Sequence, residues 1–201
     1  MSPKDPLLPG LFRVERLYES AARLVAPASR WRRALVDNMA PRAGDVIVEI
    51  GCGAGALAIA LALSAPRALV IAVDPDAAAL EGARLRAAQA GAKIEVVRGL
   101  GAEAPHLLAN WAPNKVIANF VERPHAARDK RETIAAAHAA LRPDGFLHLA
   151  DFEALEPPPP VEKDRDLMLA LMRGAGFVAA ERTEIFPAAR GDVALFRARM
   201  T

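Results

Sequence analysis

The chain has 201 residues, 53% apolar and 25% charged, which suits a single soluble globular domain with a sizeable core. A formal charge of only +2 excludes binding of nucleic acid or membrane by bulk charge, so any basic surface has to be local. The lone cysteine, Cys52, excludes an internal disulfide and points to a reducing compartment.

The opening "MSPKDPLLPGLF" breaks the apolar run that a signal peptide needs. The longest uncharged stretch, 50–66, holds three glycines and falls short of the roughly 20 residues of a membrane span. A cytoplasmic protein is expected. Twenty-one arginines against five lysines, with abundant alanine, suggest a GC-rich bacterial source.

Leu11, Val14, Tyr18, Ala21 and Val25 recur at helical spacing until Pro27, and a second helix is expected from about Ser29 to Met39. Arg13, Arg16, Arg23, Arg30, Arg32 and Arg33 make this the locally basic region. From Asp45 onward, strands alternate with helices. "VIVEI" precedes a helix over 56–64, and "LVIAV" precedes one that starts near Asp76 and ends at Gly91. "KIEVV" precedes a short helix near 103–110, "KVIAN" a helix over 126–141, and "GFLHLA" follows the turn "RPDG". Such alternation implies parallel βαβ units wound to both sides of one sheet. After "EPPPP", a stiff linker, a helix over 164–173 leads to "FVAAERTEIF" and "DVALFRARM", expected to pair as an antiparallel hairpin.

Gly51, Gly53 and Gly55 follow the first strand at alternate positions, where a parallel sheet binds its ligands. Such a turn either holds a ligand against the backbone or merely joins strand to helix. Asp74 closes the second strand and is placed to accept both hydroxyls of a ribose. It is equally placed to cap the following helix, with Pro75 in the first turn. Together these features describe a nucleoside site. "GCGAGA" also satisfies the dinucleotide pattern. Against a nicotinamide oxidoreductase stand the single tyrosine, Tyr18, ahead of the first strand, and the lack of chain for a substrate domain. Glu49, an acid two residues before the turn, suits a cationic ligand better than a pyrophosphate.

"VEIGCGAG" resembles motif I of the class I S-adenosylmethionine-dependent methyltransferases, and "VIAVDPD" resembles their second motif. "LRPDGFLHLADF" is similar to the segment leading into their fifth strand, and the closing hairpin to their sixth and seventh. The resemblance implies a Rossmann-like, doubly wound α/β fold. Its seven-stranded sheet would be mostly parallel, with a C-terminal antiparallel hairpin. "YESAARL…RWRRALVD" loosely resembles the helical cap of the small-molecule and lipid enzymes in this group. Domain boundaries of 1–41 for the cap and 42–201 for the S-adenosylmethionine-binding domain follow. By position, Gly51, Cys52 and Gly53 would approach the methionine part of S-adenosylmethionine and Glu49 its ammonium. Asp74 and Pro75 would meet the ribose, and Tyr18 would close over the site.

Two departures stand out. Leu100 occupies the place of an acid that positions the adenine amine, so backbone groups of Leu100 and Gly101, or Glu103 reaching back, would have to substitute. "NKV" replaces the usual Phe-Asp-hydrophobic sequence before the fourth strand.

Methyl transfer requires alignment and dryness more than a catalytic triad, and none is evident. Asn119, ending the fourth strand, would line the transfer pocket. His125 and Asp151 are candidate bases, with a helix-start histidine and a turn cap as their alternative readings. Cys52 is either a thiolate activated near a helix N-terminus or a small residue tolerated in the turn. His106, His138 and His148 read as structural or exposed, and no metal-ligand spacing occurs. "NFVE" is not the Asn-Pro-Pro-aromatic motif of amino-methylating DNA enzymes, which argues against nucleic acid as a partner. The expected substrate is a small molecule or lipid headgroup. The basic N-terminal helix covers the site, makes a peripheral membrane contact or, as a third reading, presents a basic patch to RNA. A methyltransferase-like scaffold without turnover is the other-class alternative.

Overall fold

The apolar runs and alanine-rich helices assemble, in a computed structural model, into one seven-stranded sheet in the order β3-β2-β1-β4-β5-β7-β6. The structure describes residues 30–120, 127–152, 167–188 and 191–201. The strands are β1 (Val46–Ile50), β2 (Leu69–Asp74), β3 (Glu95–Arg98), β4 (Lys115–Asn119), β5 (Phe146–Phe152), β6 (Val178–Phe186) and β7 (Val193–Arg199). The first five are parallel, while β7 runs antiparallel between β5 and β6, as the closing hairpin requires. The chain steps outward from β1 to β3 and then returns to place β4 on the other side of β1. The switch in strand order therefore falls between β1 and β4, the place where sheets of this kind form a ligand crevice at their carboxyl ends.

Burial explains the apolar runs. Ile47, Val48, Val70 to Val73, Val116 and Ile117 are fully buried, so these central strands need apolar side chains on both faces. The helices are α1 (Arg30–Met39), α2 (Ala56–Ser64), α3 (Ala77–Ala90), α4 (Ala104–Leu107), α5 (Ala127–Ala140) and α6 (Leu167–Gly174). Helix α2 is apolar around its whole circumference because it packs between the sheet and its neighbours, with Leu57, Ile59 and Leu61 buried. The Asp76 carboxylate accepts from the amides of Ala78 (2.8 Å) and Ala79 (3.3 Å) to start α3, and Gly91, at φ 68°, ends it. The capping role considered for Asp74 thus belongs to Asp76, two residues further on.

Two elements differ from expectation. The expected short helix over 103–110 is a single 3-10 turn, 101–103, followed by the one turn of α4. Strand β5 extends two residues past "GFLHLA" because β7 continues to pair with it as far as Phe152 opposite Val193, which puts Asp151 inside the strand.

Tyr18, the first expected helix, His125 and the four prolines lie outside the described residues. The second basic segment, α1, buries Trp31, Leu35, Val36 and Met39, clustered with Ile47, Leu57, Val193 and Leu195. Asn38 donates from Nδ2 to the Glu184 carboxylate on β6 at 2.9 Å. The apolar stripe of α1 therefore faces the sheet and offers nothing to a bilayer. Among the described residues, no helix is long and apolar enough to cross a membrane.

The departure "NKV" has a local cause at the amino end of the sheet. Lys115 Nζ pairs with Asp45 Oδ2 at 2.7 Å and also donates to the Ala40 carbonyl at 2.9 Å. Asn114 donates from Nδ2 to Asp45 Oδ1 and accepts from the Val46 amide, both at 2.7 Å. Burial works to raise the Asp45 pKa. Lys115, Asn114 and the Arg42 amide outweigh it and hold the carboxyl below its usual range. This end of β4 is remote from the crevice, so the substitution leaves the ligand-facing end untouched.

Candidate functional site

The glycine turn is held from beneath by the second strand. The Val73 carbonyl accepts from the amides of Gly51 (2.8 Å) and Cys52 (3.0 Å), and Gly55 donates to the Cys52 carbonyl at 2.9 Å. Gly51 and Gly53 sit at φ 75° and 53°, a left-handed backbone that side chains disfavour by about 1–2 kcal/mol. A Cβ placed on either would meet nothing within 4 Å, so the outer face of the turn is open. Gly55 is a different case: its Cβ would lie 2.8 Å from Ala83 Cβ, because α2 and α3 cross closely there.

Two carboxylates are built into this turn. Asp74, 8% exposed at the end of β2, accepts from the Gly53 amide through Oδ2 at 2.8 Å and from the Asp76 amide through Oδ1 at 2.9 Å. Glu49, 3% exposed within β1, accepts from the Ala58 amide in the first turn of α2 at 2.8 Å. Each Asp74 oxygen accepts one amide and retains a second lone pair for a ligand. Negative charge at a helix N-terminus is also favourable, so the fold tolerates Glu49 there.

Cys52 lies between these acids and is buried. Its Sγ is 3.5 Å from the Gly53 carbonyl. Burial first, then the charges of Glu49 and Asp74, push the thiol pKa up, and the thiolate reading fails. Cys52 is the small buried residue of the turn.

The next strand ends complete the crevice. Pro75 is exposed, and its carbonyl accepts from Arg98 Nε at 3.2 Å. The Leu100 side chain is 55% exposed and its amide donates to Glu103 Oε2 at 2.7 Å. Glu103 does reach back, but to the backbone of Leu100, so that amide is already engaged. Gly101 is required for packing: a Cβ there would lie 2.8 Å from Ile50 Cγ2. Asn119 is half-buried at the end of β4 beside the buried Phe120.

Asp151 and Lys130 form a buried ion pair between β5 and α5, and the other Asp151 oxygen accepts from the Phe152 amide at 2.9 Å. The lysine also lies 5.6 Å above the Phe120 ring. Neither the turn-cap nor the base reading foresaw this partner. One signal was available: Lys130 stands four residues before Ile134 and seven before Ala137, on the buried stripe of its helix. Among the described residues, no group of three histidine, cysteine or acidic side chains is arranged to hold a metal.

The turn, its two acids and the open glycine faces fit a cationic nucleoside. Residues 47–145 match a family model described as a methyltransferase domain. Over 171 residues the chain is 31% identical to a ribosomal RNA small subunit methyltransferase C of Pseudomonas aeruginosa strain LESB58, covering 85% of this chain and 48% of that protein. The chain thus spans about half the length of this relative. Two solved structures share the fold. A precorrin-6y C5,15-methyltransferase from Geobacter metallireducens GS-15 superposes with TM-score 0.65 at 15% identity, over 88% of this chain and 91% of that one. Magnesium protoporphyrin IX methyltransferase from Synechocystis PCC 6803, solved with bound SAM, gives 0.64 at 18% identity over 98% and 87%. The match over residues 47–145 identifies a methyltransferase domain in this chain, carried on the fold of both solved methyltransferases.

Proposed function

We propose that the chain transfers a methyl group from S-adenosylmethionine to a small-molecule acceptor, a lipid headgroup included, at the crevice between β1 and β4. The observation that carries this reading is the open glycine turn with Asp74 and Glu49 folded into it. Asp74 would receive the ribose, its position fixed by the Gly53 and Asp76 amides. Glu49 would face the ammonium group, and the open faces of Gly51 and Gly53 would admit the methionine part. Pro75, Leu100 and Gly101 would border the adenosine, and Asn119 the transfer pocket.

When bound, the sulfonium supplies an electrophilic methyl group. Asp74, Glu49 and the glycine turn would hold the cofactor, which would supply that methyl group to the acceptor's lone pair. The chain's own contribution is alignment and exclusion of water. Asp151 is held by Lys130 and the Phe152 amide. Its part in this reading is to fix the end of β5 rather than to take a proton. An acceptor proton would pass to His125 or to solvent. A cytoplasmic setting belongs to the same proposal and is supported by the single, buried thiol.

A second reading, methylation of RNA, is favoured by the Pseudomonas relative, a ribosomal RNA methyltransferase. The absence of an Asn-Pro-Pro motif after β4 weighs against amino-group chemistry on a base.

The test is calorimetric titration with S-adenosylmethionine, S-adenosylhomocysteine and NAD, with Asp74→Ala as control. Micromolar binding of the two sulfur nucleosides, lost in the variant, supports the proposal. Binding of NAD alone overturns it, and binding of none of the three favours a scaffold without turnover. Transfer of labelled methyl to small metabolites or to small-subunit ribosomal RNA then separates the two acceptor classes.

A further inference from the structure

A second cavity of about 370 Å³ lies at the amino ends of β1, β4 and β5, opposite the crevice. Six residue steps along β1 lead from Asp45 to Gly51, so the two sites are about 20 Å apart. The volume is within the range of small-ligand pockets. Four cationic side chains line it, Arg42, Lys115, Arg142 and Arg197, against two carboxylates, Asp45 and Asp144.

The ion pairs already formed leave an excess of positive charge. Lys115 is matched by Asp45, and Arg197 by Glu181 at 2.6 Å. Asp144 lies 3.8 Å from Arg199, a cation outside the cavity lining. The guanidinium groups of Arg42 and Arg142 are exposed and have no partner among the described residues.

At the inner wall stands His148. It is 2% exposed, and its Nδ1 is buried without a hydrogen-bond partner. A buried imidazole nitrogen in that condition costs stability, and its retention needs a reason. Opposite it on the neighbouring strands are Ile117 and Arg197. The side chains flanking it across the sheet are thus one apolar and one cationic, and Nδ1 finds no partner. Phe146 and Met39 add apolar wall, with Arg197 5.9 Å above the Phe146 ring. The rim is also conformationally unusual, since Ala40 (φ 43°) and Asp144 (φ 60°) are non-glycine residues with left-handed backbone.

We propose that this cavity is a second ligand site, which takes the terminal oxyanion of a small phosphomonoester, with Arg42 and Arg142 at the mouth and His148 at the inner wall. A terminal group is required because a diester is blocked on two sides and would ride on the rim without reaching the imidazole. Burial, then Lys115 and Arg197, hold His148 neutral down to about pH 3, so it meets the ligand as a neutral imidazole. A bound dianion offsets both cations and moves the imidazole titration upward. The site is independent of methyl transfer, and its test leaves that reading untouched.

The probe is phenyl phosphate, titrated into the full chain at constant ionic strength and followed by calorimetry and by the imidazole resonances. The His148 resonance is assigned by its loss in His148→Leu. The expected result is saturable one-to-one binding at about millimolar concentration or tighter, with the His148 resonance shifting. The double variant Arg42→Ala/Arg142→Ala should weaken it by about tenfold or more and leave S-adenosylmethionine binding unchanged. Three outcomes overturn the proposal: an equal response to chloride, equal affinity in the double variant, or a fixed His148 resonance. Displacement of phenyl phosphate by an oligonucleotide lacking terminal phosphates also overturns it, in favour of a nucleic-acid surface.

Discussion

Glu49→Gln separates the support of the glycine turn from the recognition of charge. Glutamine keeps an oxygen for the Ala58 amide, now at 2.8 Å from the carboxylate, and changes the shape very little. A charged acceptor exceeds a neutral one by about 1 kcal/mol, and the α2 N-terminus adds about 0.3–1 kcal/mol. Relief from burying a carboxylate that is 3% exposed opposes both. The net change in stability is therefore within about 1 kcal/mol, or a melting shift of about 2–4 °C. Losing a charge-assisted contact with the ammonium of S-adenosylmethionine costs about 1.5–3 kcal/mol, which weakens Kd by about 10- to 150-fold. Calorimetry should include 5′-methylthioadenosine, which lacks the amino-acid portion. Its affinity should be the same for both proteins. Equal weakening of both ligands would mean that Glu49 only supports the turn. An S-adenosylmethionine affinity within twofold of the parent would refute the ammonium contact.

Three further predictions concern stability. Gly55→Ala, with a left-handed φ of 78° and Ala83 Cβ at 2.8 Å, should cost about 2–5 kcal/mol in urea unfolding. Gly44→Ala, at φ 85° in open space, should cost only about 1–2 kcal/mol, so equal losses would refute the packing argument. Lys130→Met leaves the Asp151 carboxylate buried without its cation and should cost about 3–5 kcal/mol, much of it recovered on adding Asp151→Leu. His148 gives a pH signature. Its folded pKa of about 3 lies below the unfolded value near 6.5, so below pH 6.5 the unfolded chain binds a proton that the native one refuses. That contribution is intact above pH 6.5. It is lost by about 1.4 kcal/mol per pH unit on acidification, or about 2 kcal/mol by pH 5. Urea midpoints of His148→Leu should lack this component, and an unchanged pH slope would refute it.

Features governed by neighbours in sequence were legible. Asp76 and Gly91 bound α3 because each acts on backbone within a few residues, and "VIVEI" reads as a central strand because both its faces are buried. The glycine turn was legible for the same reason, since its backbone angles are a local demand. Glu49 and Asp74 stood out as acids inside apolar strands. Their amide partners, Ala58 and Gly53, emerge only when the turn folds back on them. Pairings between distant segments were not legible. Lys130 reaches Asp151 across 21 residues, and Lys115 reaches Asp45 across 70. The sequence "NKV" stood out as a departure, and strand direction puts it at the amino end of β4, away from the crevice. Leu100 was read as a missing acid. Its amide is engaged by Glu103, which a pattern centred on one position does not reveal.

The tie among Asp45, Asn114 and Lys115 also acts as a ruler. Side chains alternate along a strand, so sliding β1 past β4 by one residue would turn every β1 side chain to the other face. Glu49 would then leave α2, and the glycine turn would shift by about 3.3 Å against Asn119. Register fixed where Asp45 meets Asn114 and Lys115 is thus read out as atomic placement at the far end of the same strand pair, beside Ile50 and Ala118. Alignment for an in-line displacement tolerates little error, so part of the precision of the crevice originates in residues that never approach it.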